Sequence, residues 1–235
     1  MNNNLDKPRL IGIIGAMKVE TDDIKGRVEA PVCETFSGID FVRGRLLGHE
    51  VVAAKCGVGK VFAAMCAQTM ILKYAPDIII SMGVGGSLSP ELNIGDIAIA
   101  SELCQHDMDT SHVGDEVGMV SGVNMVYFPA CGEAVRRFEV CAEGLGLHSV
   151  TGVIASGDVF VGDAQRKRFI TDTFGALCCE MESAAIAQVC YVNDVPFAAI
   201  RAVSDNGDAN CGRDYADALS RASSAATAMV YEFLK

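Results

Sequence analysis

Hydrophobic positions along this chain change period from block to block. "RLIGIIGAM", residues 9 to 17, is a short apolar strand closed by glycine. "IDFVRGRLLGHEVVAAKCGVG", residues 39 to 59, reads as a hairpin turning near Gly48, and "KVFAAMCAQTMILKYA" as a long helix with its apolar residues on one face. "PDIIISMGVGG" is a buried strand running into a glycine turn, and "IGDIAIAS" is a further strand. Residues 105 to 128 are rich in Gly, Asp and Ser and carry little periodicity, which predicts an irregular excursion. A glycine-ended helix, "ACGEAVRRFEVCAEGLG", is followed by the strand "SVTGVIASGD" and the helix "AQRKRFITDTFG". "ALCCEMESAAIAQVCYVND" passes from strand to helix, "VPFAAIRAVSDNGD" is a strand ending in polar residues, and Tyr215 to Lys235 form a terminal helix.

Strands alternating with helices predict an α/β fold of three layers: a mixed, mostly parallel sheet with helices on both faces. No repeat, low-complexity tract or linker interrupts residues 1 to 235, so one domain is expected, with residues 1 to 8 a flexible leader. Half the residues are hydrophobic, enough for a sizeable core. The net charge of −11 and pI of about 4.7 argue against nucleic acid or an anionic membrane as partner. No apolar run is long enough to span a bilayer, and "MNNNLDKPRL" lacks the layout of a secretion signal. The ten cysteines include no CxxC and no Cys/His metal spacing. Buried thiols of a reducing cytoplasm are the expected reading.

In such sheets ligands sit beyond the carboxyl ends of strands. Acidic residues gather there: Glu20 after the first strand, Glu180 and Glu182 in "CEMESAAIAQVC", and Asp205 after Val203. Carboxylates suit sugar hydroxyls and acid/base chemistry on a neutral or cationic substrate; they do not suit phosphate. The glycine loops bind no cofactor on this reading. "GVGK" has Ala54 where a phosphate loop needs glycine and Val61 where it needs a hydroxyl. "IGIIGAM" lacks the third glycine of a dinucleotide fingerprint, which counts against an oxidoreductase. Both are read as tight strand-to-helix turns.

"IGIIGAMKVE", "GVGKVFAA", "GVGGSLSPELNIGDIAIAS", "ASGDVFVGD", "CEMESAAIAQVC" and "PFAAIRAVSDNGD" resemble, in order and spacing, the 5′-methylthioadenosine/S-adenosylhomocysteine nucleosidases of the purine nucleoside phosphorylase superfamily. The resemblance runs from about residue 10 to residue 230. It implies a phosphorylase-like fold, usually a homodimer, that hydrolyses the bond between adenine and ribose without a cofactor.

By the same resemblance Glu182 grips the ribose hydroxyls, Met181 packs on the sugar, and Met17 and Gly86 stand against substrate. Asp205, oriented by Ser204, protonates the leaving base at N7. Glu20 deprotonates water, with Arg201 near that water. Phe160 stacks on the purine and the Val161 backbone bonds it, although Phe160 also reads as ordinary core. Glu180 and Glu182, two apart on a helix, point about 200° from each other. Glu180 is therefore given a supporting role, alongside the plain reading of an acidic residue at a helix start.

The chain departs from the pattern at Val84, where a hydroxyl is usual, and at Val113, where an aromatic commonly lines the 5′ pocket from a neighbouring subunit. Related phosphorylases bind phosphate through a serine and an arginine where this chain has Val84 and Ser81, so the phosphate site looks absent. A phosphorylase, a hydrolase of futalosine or another nucleoside, and a non-catalytic nucleoside-binding protein stay open as alternatives. Intact Glu20, Glu182 and Asp205 count against the last.

Overall fold

A computed structural model describes residues 10–235; the expected leader, residues 1 to 8, lies outside the described residues. The first strand, β1 (Leu10–Gly15), is buried along its whole length. Its side chains divide by the two-residue period of a strand. Leu10 and Ile14 enter a core shared with α2 (Lys60–Tyr74) and α5 (Ser183–Val192). Ile11 and Ile13 enter a second core with α1 (Lys18–Gly26), α3 (Gly132–Leu145) and α6 (Cys211–Phe233). A strand covered on both faces reads as a continuous apolar run, and the two cores are the two helix–sheet interfaces of a three-layer molecule.

The other strands are β2 (Glu29–Phe36), β3 (Ile39–Leu46), β4 (His49–Lys55), β5 (Ile78–Ser87), β6 (Ile97–Gln105), β7 (Tyr127–Pro129), β8 (Ser149–Ser156), β9 (Ala176–Glu180) and β10 (Phe197–Asp205), with α4 (Ala164–Phe174) between β8 and β9. β1, β4, β3 and β2 form an open wing. β5, β10, β6, β8 and β9 return on themselves, because β5 pairs with both β10 and β9. The sheet is mixed: β1–β4, β1–β5, β5–β10, β6–β8 and β8–β9 are parallel.

One change of neighbour positions the site. β5 pairs with β1 as far as Ser81, and with β9 from Gly86. Between those points its edge faces a cleft rather than a strand.

Three sequence expectations are corrected. β2 was not foreseen; it is solvent-exposed from Glu29 to Thr35, so no burial pattern marks it. The GVGG run is no turn but the interior of β5, buried throughout. α2 is apolar all round: Ala63, Cys66, Ala67 and Met70 are buried, while Val61, Phe62, Met65 and Leu72 lie in solvent.

Candidate active site

Glu20 stands in the first turn of α1, where its Oε2 accepts the amides of Ala16 and Met17, both at 2.8 Å. The Met17 contact is half of a capping box. Its Oε1 accepts the Val84 amide at 3.0 Å. That amide lies where β5 has lost β1 as partner, so the carboxylate stands in for a missing strand. Burial pushes the Glu20 carboxyl above its ordinary range, against the opposing pull of the Arg201 charge and the three amides. A β-carbon at Gly83 would fall 2.4 Å from Glu20 Oε1, so the close seat needs glycine there.

Asp205 ends β10. Ser204 Oγ donates to its Oδ2 and the Gly207 amide to its Oδ1, each at 2.9 Å. Burial raises its pKa despite both bonds. A β-carbon at Gly86 would lie 2.8 Å from Asp205 Oδ1. Two glycines of one strand thus make room for two carboxylates.

Glu180 and Glu182 do not share a helix. Glu180 is the last residue of β9, and Glu182 is the N-cap of α5. The helical angle expected between them is therefore replaced by a strand-to-helix corner. Glu180 Oε2 pairs with Arg201 Nη2 at 2.5 Å. Its carboxylate also accepts the hydroxyls of Ser156 and Ser183 and the amides of Glu182 and Ser183. Burial opposes ionisation, yet Arg201 and these donors hold the pKa below the ordinary value. Glu182 Oε1 accepts the Gly59 amide at 2.8 Å. Its pKa is pushed up to about 8, by burial first and by the Glu180 charge second. Neighbouring carboxylates driven apart in this way are a mark of functional sites.

The cleft encloses about 190 Å³ and opens to solvent on one side. Met17, Glu20, Gly86, Phe160, Val161, Glu180, Met181, Glu182, Ser204 and Asp205 all line it. Arg201 does not. It lies fully buried behind Glu180, bonded to the Ile200 carbonyl and Ser81 Oγ. Phe160 is half exposed at the mouth, edge-on to Tyr215 with centroids 5.5 Å apart; it is not core. Tyr215, whose hydroxyl donates to Met17 Sδ at 3.2 Å, also lines the cleft, as do Val58, Val159 and Cys179. Sequence reading passed over these four. Tyr215 reads as one more residue of a terminal helix, and nothing local ties it to Met17. Val113 is exposed and outside the lining.

The Phosphorylase superfamily model matches residues 10–235. The 5′-methylthioadenosine/S-adenosylhomocysteine nucleosidase of Shewanella pealeana is 38% identical over 227 residues, covering 96% of this chain and 98% of that protein. The structure of the same-named enzyme of Neisseria meningitidis, in complex with methylthio-immucillin-A, has a TM-score of 0.93 at 32% identity, covering 97% of this chain and 99% of that one. The nucleosidase of Colwellia psychrerythraea, in complex with adenine, gives 0.93 at 30% identity, covering 97% and 95%. The chain belongs to the phosphorylase superfamily and, within it, to the 5′-methylthioadenosine/S-adenosylhomocysteine nucleosidases.

Proposed function

We propose that this chain hydrolyses the N-glycosidic bond of 5′-methylthioadenosine or S-adenosylhomocysteine, releasing adenine and the 5′-thio-substituted ribose. One observation carries the choice of water over phosphate. Glu20, Glu180, Glu182 and Asp205 line the cleft, and among the described residues no lysine or arginine does. Arg201, the cation behind them, is already paired with Glu180. A phosphate dianion would meet carboxylates with no free counter-charge; a sugar and a water meet acceptors.

The chemistry follows from where charge develops. As the C–N bond breaks, its electron pair moves onto the purine and positive charge grows on the ribose ring. Asp205, its pKa raised by burial, carries the proton that N7 takes. Glu20 removes a proton from the attacking water as oxygen bonds to the anomeric carbon; burial makes it a stronger base than an ordinary glutamate. Glu182 accepts the ribose hydroxyls, with Met181 beside the sugar. Phe160 covers the base and Val161 presents its backbone. Glu180 orders the amides at the start of α5, and Arg201 balances its charge.

The substrate site is completed by a second copy of the chain in this reading. Val61, Met65 and Leu72 of α2 lie within about 40° of one another around the helix and all are solvent-exposed, as is Val58 at the edge of the cleft. The ten unpaired thiols suit a reducing cytoplasm.

The test is incubation with 5′-methylthioadenosine in phosphate-free buffer, followed by chromatography. Free adenine and free 5-methylthioribose are expected, at a rate indifferent to added phosphate. A ribose 1-phosphate product formed only with phosphate would contradict the reading.

A further inference from the structure

A ring of polar contacts beside the cleft has no part in the chemistry so far. Lys60, at the start of α2, gives its Nζ to Asp107 Oδ1 at 2.6 Å and Gln105 Oε1 at 3.1 Å, where the chain leaves β6. Asp107 Oδ2 accepts the Asp158 amide at 2.9 Å. Asp158 Oδ1 accepts the Lys60 amide at 2.8 Å. Lys60, Asp107 and Asp158 therefore close on one another and join three separate segments. The Lys60 and Asp107 side chains are only 17% and 20% exposed, so the pair is not of the fully solvated kind that contributes little.

Both ends of this ring touch the substrate site. Gly59, just before Lys60, donates its amide to Glu182. Val159, Phe160 and Val161, just after Asp158, line the cleft. Two consecutive amides of one turn are thus divided between Glu182 and Asp158. The turn favours glycine at position 59: Gly59 has φ of +99°, and a β-carbon on it would sit 3.0 Å from Asp158 Oδ1. On the other side of Asp158, the buried His106 ring fills the space a side chain at Gly157 would need, 2.4 Å from the β-carbon position.

We propose that Asp158 is a positioning residue for glycosidic cleavage: with Lys60 and Asp107, it fixes the base-binding loop relative to the Gly59 amide that holds Glu182. The proposal rests on the functional reading above. Base and ribose are joined by the bond that breaks, so the groups gripping each must keep one spacing. A displacement of about 1 Å costs on the order of 10²-fold in rate.

The experiment compares wild type, Asp158→Ala and Asp158→Asn on 5′-methylthioadenosine, with kcat and KM measured from about pH 5 to 9 and melting followed in parallel. Asparagine keeps an oxygen for the Lys60 amide; alanine does not. Asp158→Ala is expected to lower kcat/KM about 10- to 100-fold. Its acid limb should move to higher pH, because Glu182 loses an amide that favours its ionised form. Asp158→Asn should keep most of the activity and the wild-type limb. In a Glu182→Gln background, Asp158→Ala should cost less than about 3-fold more. Wild-type kinetics in Asp158→Ala, an equal loss in the asparagine variant, or the same loss with and without Glu182 would each overturn the proposal. If Asp158→Ala fails to fold, Lys60→Met carries the test, since it removes the Nζ bonds and leaves the amide. A smaller loss with the same limb shift is expected, and unchanged kinetics would overturn the proposal. A wild type inactive on adenine nucleosides overturns the functional reading and this proposal with it. An active wild type with an insensitive Asp158→Ala overturns the proposal alone.

Discussion

Glu180 and Glu182 stand two residues apart in opposite electrostatic states: Glu180 shares a 2.5 Å ion pair with Arg201, whereas Glu182 is held by the Gly59 amide at 2.8 Å. The buried cation has gone to the carboxylate that organises the corner; Glu182, without a cation of its own, keeps its proton up to about pH 8 and turns to the cleft.

Glu182→Gln should therefore separate stability from activity. The folded pKa of about 8 lies above the ordinary value of 4.5, so the folded chain binds the extra proton. Stability is then lost as pH rises through that window. The full shift corresponds to at most about 5 kcal/mol; a gain on the order of 1–3 kcal/mol at pH 8, and little at pH 5, is expected for the glutamine variant. Activity should fall about 10²-fold or more as the ribose grip weakens. Thermal melts at the two pH values check it; a variant less stable than wild type at pH 8 would contradict the assignment.

Glu180 carries the opposite sign. Its folded pKa is lowered, so its contribution is present above the unfolded value and is lost as pH falls through the folded one. Glu180→Ala leaves the Arg201 charge buried without its ion-pair partner, and should cost about 3–5 kcal/mol in denaturant unfolding. A loss below about 1 kcal/mol would show that the pair is not needed.

Gly83→Ala and Gly86→Ala test the seats of the two carboxylates. The added methyl meets Glu20 Oε1 at 2.4 Å or Asp205 Oδ1 at 2.8 Å, in each case the end of a side chain rather than backbone. Both variants should remain folded and lose on the order of 10²-fold in kcat. Full activity in either would mean that its carboxylate does not need this seat.

The exposed stripe on α2 gives an assembly test. Val61→Asp with Leu72→Asp should turn a dimer into a monomer by light scattering, while leaving the α2 core residues Ala63, Cys66 and Met70 undisturbed. A wild type that is monomeric and fully active would remove the second copy from the account.

Strand and helix positions were legible wherever burial imposed a pattern, as in β1, whose Leu10 to Gly15 form a continuous apolar run covered on both faces. β2 was not, because a solvent-exposed edge strand containing Pro31 imposes no such pattern. The candidate carboxylates were visible as acidic residues following strands. What local sequence could not supply was the partner of each. Glu20 meets Val84 and Glu182 meets Gly59 only through the fold, across 64 and 123 positions. The GVGG run misled because glycines usually mark turns; here they mark close approach of Glu20 and Asp205 to a buried strand. Four glycine-rich or β-branched residues without Asp, Asn or Ser among them were the available signal.

The division of labour between Asp205 and Glu20 is the centre of the account, and the leaving group tests it most directly. On adenine nucleosides, Asp205→Asn and Glu20→Gln should each lose on the order of 10² to 10⁴ in rate without a matching loss in melting temperature. A riboside bearing the same 5′ substituent and p-nitrophenolate in place of adenine needs no proton on departure but still needs an activated water. Release of p-nitrophenolate, followed by absorbance, should show Asp205→Asn recovering much of its lost rate relative to wild type and Glu20→Gln recovering far less. Equal recovery by both variants, or recovery by neither, would contradict the assignment of acid and base.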